Sequence, residues 1–84
     1  MKVYRIQSGK LWYQGKHCIG PDEDNSPLFT NLKRAEKQIR DNYKTLKENI
    51  ERWKQEGVQL DISWFNELKF WKNAKTVSYT IVKD

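Results

Sequence analysis

A long amphipathic helix is the feature that most constrains how this chain folds. Apolar residues recur every seven positions, and others fill the intervening turns: Leu32, Ile39, Leu46 and Trp53 repeat, with Ala35, Tyr43 and Ile50 between them. Spacings of three and four residues place all seven on one helical face. Thr30 or Asn31 can cap the start, and Gly57 permits the left-handed residue that commonly ends a helix. The predicted helix of about 26 residues spans about 39 Å.

The segments before this helix predict a hairpin and a loop. Residues 2–7 and 11–14 are rich in β-branched and aromatic residues, and a Ser8-Gly9 turn separates them. Residues 2–14 are therefore predicted to form a β-hairpin. Residues 15–27 contain two prolines, two glycines and three consecutive acidic residues, a composition typical of a loop.

The segments after the helix predict a second helix and a closing strand. Residues 58–62 fit either a strand or a loop, residues 62–73 fit a short helix, and residues 76–82 alternate as a strand does. The expected order is β-β-α-α-β, an α+β fold. We expect a three-stranded, mostly antiparallel sheet with the long amphipathic helix covering one face.

Length and composition predict a single cytoplasmic domain over residues 1–84. A chain of 84 residues is the size of one domain. No apolar run reaches the roughly 18 residues of a membrane span, and the first residues lack the apolar core of a signal peptide. Cys18 is the only cysteine, so no internal disulfide is expected.

Basic residues form a line along the long helix, beside its apolar face. The net charge of the chain is +5, which favours an acidic partner. Spacings of mostly three and four residues place the members of this line together; they are Lys33, Lys37, Arg40, Lys44, Lys47 and Lys54. This pattern predicts a docking surface for the phosphates of a nucleic acid, with RNA ranked ahead of DNA.

Two other interpretations of the same helix stay open. Pairs of opposite charge four residues apart, such as Lys37 with Asp41 and Glu36 with Arg40, are typical of a solvated helix without a partner. The seven-residue apolar repeat also resembles a coiled-coil seam. Such a seam would join two copies of the chain. However, the sheet also needs an apolar surface to pack against, and the same helix can supply it. The chain is therefore expected to be a monomer or a homodimer.

No group of residues predicts catalysis, a cofactor or a metal. His17 and Cys18 are neighbours, and neighbouring side chains on a strand point to opposite faces; two ligands also fall short of a zinc site. The acidic run 22–24 lacks the glycine and distant glutamate of a calcium loop. Trp64 and Trp71 are candidates for contact with a protein partner, because exposed tryptophan favours interfaces.

Parts of the chain resemble small early proteins of T-even-like bacteriophages. The resemblance lies in an opening strand, a second strand that begins with glycine, a helix opened by a leucine-containing turn, and a closing strand with a Val-x-Tyr pattern. The segments themselves are residues 2–6, 9–15, 28–33 and 73–82, a third of the chain. The resemblance over the two ends and the helix start is taken to extend to about half of the chain.

The resemblance implies a role in the host cytoplasm, and no residue's role is carried over from it. Proteins of this kind commonly disarm a host factor by binding it, as antitoxin-like inhibitors of RNA-cleaving toxins and anti-CRISPR proteins do. With the basic line, it suggests a non-enzymatic inhibitor that binds RNA or an RNA-bound host or defence protein. The alternative is a protein-only inhibitor that occupies the nucleic-acid groove of a host nuclease or CRISPR effector.

Overall fold

An antiparallel sheet and two α-helices make up the protein in the computed structural model, which describes residues 1–16 and 18–81. In chain order its elements are β1 (Lys2–Ser8), β2 (Leu11–Gly15), β3 (Cys18–Gly20), a single 3-10 turn (Glu23–Asn25), α1 (Leu32–Gln55), α2 (Ile62–Asn73) and β4 (Lys75–Thr80). The strand order is β3-β2-β1-β4. The predicted hairpin is confirmed as β1 and β2, and the predicted closing strand pairs with β1.

The prediction of three strands is wrong, because β3 adds a fourth within the expected loop 15–27. Gly15 has φ 88° and Lys16 has φ 50°, which are left-handed conformations that reverse the chain after β2. Tyr13 then pairs with Ile19. A strand of three residues is too short to show an alternating pattern, so composition alone indicated a loop.

The prediction that one long helix covers the sheet is also incomplete, because α2 shares the cover. α2 buries Phe70 and Trp71 in the core that α1 lines with Ala35, Leu46 and Ile50. Residues 58–61, between the helices, form neither strand nor helix. The buried part of the apolar face of α1 therefore packs against the chain's own sheet and α2, while Leu32 at its start remains exposed.

The first and last strands lie side by side along nearly their whole length. Val3 pairs with Tyr79 and Gln7 pairs with Lys75 in an antiparallel ladder. Alternation along β1 turns Ile6, fully buried, toward the helices and Val3 toward the opposite face. Of the predicted strand 76–82, residue 82 lies outside the described residues.

The segment around the 3-10 turn lies against the sheet face that points away from the helices. The Arg5 Nε–H donates to the Ser26 carbonyl oxygen at 3.2 Å, and its guanidinium lies 4.9 Å from the Tyr79 ring centroid. The Tyr79 hydroxyl donates to the Glu23 carboxylate. Burial, followed by this hydrogen bond, raises the pKa of Tyr79. Val3 and Trp12 are buried on this same face.

Asn31 caps α1, and its replacement by alanine is expected to destabilise the protein by about 1 kcal/mol. The Asn31 Oδ1 accepts from the backbone N–H of Lys33 at 2.8 Å and of Arg34 at 3.4 Å. Urea unfolding of Asn31→Ala measures the cost. Thr30→Ala is the matched control, because the sequence left both residues as candidates. A larger loss for Thr30→Ala would contradict the assignment.

Candidate nucleic-acid interface

The six basic residues predicted as a docking surface lie along one exposed edge of α1, called here the basic stripe. They are Lys33, Lys37, Arg40, Lys44, Lys47 and Lys54, and each of them is exposed. Because a helix turns 100° per residue, their spacings confine them to about a third of its circumference. From Lys33 to Lys54 the stripe rises about 31 Å along the helix axis. Glu36 and Glu51 are acidic residues on the same edge.

Two members of the basic stripe have carboxylate partners within α1. Lys37 Nζ lies 2.6 Å from Asp41 Oδ2, and Arg40 Nη1 lies 4.0 Å from Glu36 Oε2. The hydrogen bond from Lys37 lowers the pKa of Asp41, and the charges of Lys37, Arg40 and Lys44 act in the same direction. All four paired side chains are largely exposed, and exposed pairs are weak, so a phosphate can compete for these cations.

The other four members make no ion pair with any residue that the structure describes. They are Lys33, Lys44, Lys47 and Lys54. Lys47 Nζ lies 6.0 Å from the Tyr43 ring centroid, and Lys54 Nζ lies 5.2 Å from the Phe65 ring centroid. Cation–π contact at an exposed site is weak. These positive charges are therefore available to a polyanion.

A groove between α1 and α2 is a second feature, and sequence reasoning did not find it. Its volume is about 300 Å³, and its lining is mostly apolar. The lining residues are Asn42, Thr45, Leu46, Asn49, Trp53, Trp64, Glu67 and Trp71. The groove opens on a different side of α1 from the basic stripe, because residues 42, 45 and 49 lie roughly opposite residues 33 and 44 on the helical wheel.

The two tryptophans predicted to contact a partner differ in exposure. Trp64 is 37% exposed, as a contact residue should be, and its ring meets the Trp53 ring edge-on at 5.1 Å. Trp71 is only 2% exposed, so its side chain presents little surface to a protein partner. Its ring packs against Tyr13 and Phe70 with centroid distances of 5.3 and 5.0 Å. Trp71 is a core residue that also borders the groove.

Asn42 is buried on the apolar face of α1, with 8% exposure. Its Oδ1 accepts from Gln38 Nε2 at 2.8 Å, whereas its Nδ2 is buried without a hydrogen-bond partner. Such orphaned donors are uncommon in folded proteins. The sequence does carry a signal for this position, since residue 42 lies three residues after Ile39 and four before Leu46 in the apolar repeat.

The acidic loop and the lone cysteine have local structural partners. Asp22 caps the 3-10 turn by accepting from the Asp24 backbone N–H, and it also accepts from the Asn25 side chain. The Cys18 thiol lies 3.7 Å from the Lys16 carbonyl oxygen. His17 lies outside the described residues. Within residues 1–16 and 18–81, no cluster of acidic, histidine or cysteine side chains could hold a metal ion.

Comparison with known proteins finds no similarity that bears on function. No family model matches the chain, and neither a curated protein nor a solved structure matches it significantly. In the described part of the chain, neither helix combines the length and apolar character needed to cross a bilayer. Function must therefore be argued from the side chains themselves.

Proposed function

We propose that this protein binds single-stranded nucleic acid, preferentially RNA, through the basic stripe, and that it acts without catalysis as an inhibitor of a host defence or toxin system. One observation carries the binding proposal. Four of the six stripe cations have no carboxylate partner among the described residues, and all six are exposed on one edge of a rigid helix. An acidic polymer is the partner that best complements such a line.

The chemistry of the stripe favours phosphates over base edges. Five of its six members are lysines, whose ammonium groups act as point charges on flexible stems and do not provide the planar fork of arginine. Contacts to phosphates position a protein on the strand and carry no sequence information. We therefore expect binding that depends weakly on sequence and strongly on salt.

The inhibitory role is supported by the resemblance of the terminal segments and the start of α1 to small early proteins of T-even-like bacteriophages. Such a protein would act in the host cytoplasm. By covering an RNA, or an RNA already held by a host enzyme, the stripe would keep that RNA from being cut or read. This role needs no catalytic residue of the chain itself.

Salt dependence is the direct test of the stripe. Six phosphate contacts to a single strand predict that log affinity falls against log salt concentration with a slope of about −4. Filter binding of the full chain to an unstructured RNA, over a series of potassium chloride concentrations, measures the slope. A slope shallower than about −1 would mean that at most one or two cations touch phosphate, and the stripe would not be the RNA site. The same series with single-stranded DNA measures the preference for RNA.

A protein-only inhibitor is the second candidate, and the apolar end of the helical hairpin favours it. Ile62 is 71% exposed and Phe65 is 39% exposed, and their spacing of three residues places them on the same face of α2. Exposed apolar residues that lie together mark contact sites with proteins. Capture of partners from a host lysate, with and without prior nuclease treatment, separates the candidates. A partner lost after nuclease supports RNA binding, and one that is retained supports direct occupation of a protein groove.

A further inference from the structure

One edge of the sheet is a strand that is long enough to pair again. In the order β3-β2-β1-β4, β4 pairs with β1 on one side, and no strand of the described chain lies on its other side. The opposite edge strand, β3, has three residues, so it offers little backbone to a new strand. β4 has six residues, Lys75–Thr80, a common length for a strand within a sheet. β4 is therefore the edge at which the sheet can grow.

Alternation along the strands shows which backbone groups of β4 point outward. Tyr4 of β1 exchanges two backbone hydrogen bonds of 2.8 Å with Phe29, on the side of β1 away from β4. Successive residues of a strand bond to opposite neighbours, so Tyr4 makes no ladder hydrogen bond to Ser78, which lies opposite it on β4. The N–H and C=O of Ser78 therefore point away from the sheet. The same holds two residues before and after it, at Thr76 and Thr80.

The sequence of β4 is nearly symmetric about Ser78. Val77 and Tyr79 flank it, and the next residue on either side is a threonine, at positions 76 and 80. An antiparallel second copy with Ser78 opposite Ser78 therefore aligns the outward-pointing residues of both strands, with Thr76 opposite Thr80 of the other copy. Each of these opposed pairs can exchange two backbone hydrogen bonds.

The side chains also match across this pairing. Val77 of one copy lies opposite Tyr79 of the other, and pairs of an aromatic and a β-branched residue stabilise sheets. On the other face serine opposes serine and threonine opposes threonine, and such pairs can hydrogen-bond across strands. Tyr79 is already held by Glu23 and Arg5, so its ring needs little further ordering on association.

The pairing brings no like charges together. Residues 76–80 include neither a charged residue nor a proline, which are common means of keeping edge strands apart. Lys75 lies opposite Ile81 of the other copy, and the two copies of Lys75 are at opposite ends of the paired strands. About six residues of strand separate them, or roughly 20 Å, which is beyond the screening length at physiological salt.

We propose that two copies of this chain pair through β4 to form a two-fold symmetric dimer, in which two four-stranded sheets become one continuous sheet. Opposed residues of an antiparallel pair project to the same face, so the helices of both copies lie on one side of that sheet. This contact involves neither the apolar repeat of α1 nor the basic stripe, since both lie outside β4. An interface of one strand is smaller than that of a stable complex, so a dissociation constant of about 10–100 µM is expected.

Sedimentation velocity of the full chain, over concentrations from about tenfold below to tenfold above that range, measures the change from monomer to dimer. Ser78→Pro should remain a monomer throughout, because proline lacks the outward N–H and blocks the approach of a strand. Its fold should survive, since that N–H does not bond to β1 and an edge strand tolerates proline at such a position. Circular dichroism checks the fold.

Ser78→Lys is a second variant that leaves the backbone unchanged. It places two lysines directly opposite each other across the two-fold axis, and should weaken the dimer about fivefold. Gln59→Lys is the matched control, because it makes the same change of charge at an exposed residue between the helices. It should leave the dissociation constant unchanged.

Disulfide formation tests the register. Opposed Cα atoms of a hydrogen-bonded antiparallel pair are about 5.5 Å apart, which is within the range of a disulfide. In a Cys18→Ser background, Ser78→Cys should form a covalent dimer when it is oxidised with diamide. Thr76→Cys should not, because four residues of strand separate its two copies by about 13 Å.

The proposal fails if the wild-type chain stays a monomer over the whole concentration range, even where its edge captures a strand of another protein. It also fails if Ser78→Pro and Ser78→Lys dimerise as the wild type does, which would place the contact on another surface, such as Ile62 and Phe65 of α2. Equal covalent dimer from Thr76→Cys and Ser78→Cys would show random collision and no fixed register.

Discussion

Trp71→Ala is expected to remove a large part of the free energy that keeps the chain folded. The Trp71 side chain is among the largest that are fully buried, and it contacts Tyr13 of the sheet and Phe70 of its own helix. Truncating a buried tryptophan costs about 3–5 kcal/mol. A domain of this length has a free energy of unfolding of about 4–13 kcal/mol. If the value for this protein lies near the lower limit, the substitution removes nearly all of it. Circular dichroism and urea unfolding measure it.

Trp64→Ala is the matched control, since it makes the same change in the same helix. Trp64 is 37% exposed and contacts Trp53 edge-on. Truncating the Trp64 side chain removes one aromatic pair and a partly buried surface. It should lower the free energy of unfolding by about 1 kcal/mol. If the two variants unfold at the same urea concentration, the assignment of Trp71 to the core is wrong.

Charge reversal of Lys37, Arg40 and Lys44 is expected to weaken RNA binding about 100-fold or more at 0.1 M salt. Loss of three of six phosphate contacts removes half of the counterion release, which is worth about two powers of ten at this salt concentration. The slope of log affinity against log salt should fall from about −4 to about −2. Filter binding with glutamate at all three positions measures both quantities.

The matched control reverses three exposed lysines on the sheet side of the molecule, Lys2, Lys10 and Lys16. Each reversal lowers the net charge by two, so both triple variants change it from +5 to −1. The control should lose only the small part of the affinity that comes from overall charge. Equal losses in the two variants would show that net charge, and not the stripe, determines binding. Circular dichroism of both variants checks that α1 remains folded.

The helices were predictable because their patterns are long and locally capped. α1 carries its apolar repeat over six turns and begins at a residue whose side chain accepts from the first backbone N–H groups. α2 was predicted at residues 62–73, where it is found. The strand β3 was not predicted. Its three residues pair with β2 only because the chain reverses at Gly15 and Lys16, and the left-handed backbone of these two residues is not evident from composition.

The basic stripe could be predicted from the sequence, and the groove could not, for a similar reason. Residues on one helical edge are set by spacing alone, so the positions of the basic stripe follow from the sequence. The groove requires two helices to meet, which brings Trp53 to Trp64 and leaves Asn42 Nδ2 without a partner. Which tryptophan becomes buried depends on that meeting, and so Trp71 could not be told from Trp64 beforehand.

The pairing of the first strand with the last has a consequence during synthesis. β1 leaves the ribosome early, but its partner β4 follows about seventy residues later. At about 5–20 residues per second, that interval is several seconds. Meanwhile one edge of β1 has no neighbouring strand, and an open edge invites pairing with other chains. The fraction of nascent chains that fold correctly should therefore depend on the translation rate. Slow codons between α1 and β4 should lower the yield of folded protein.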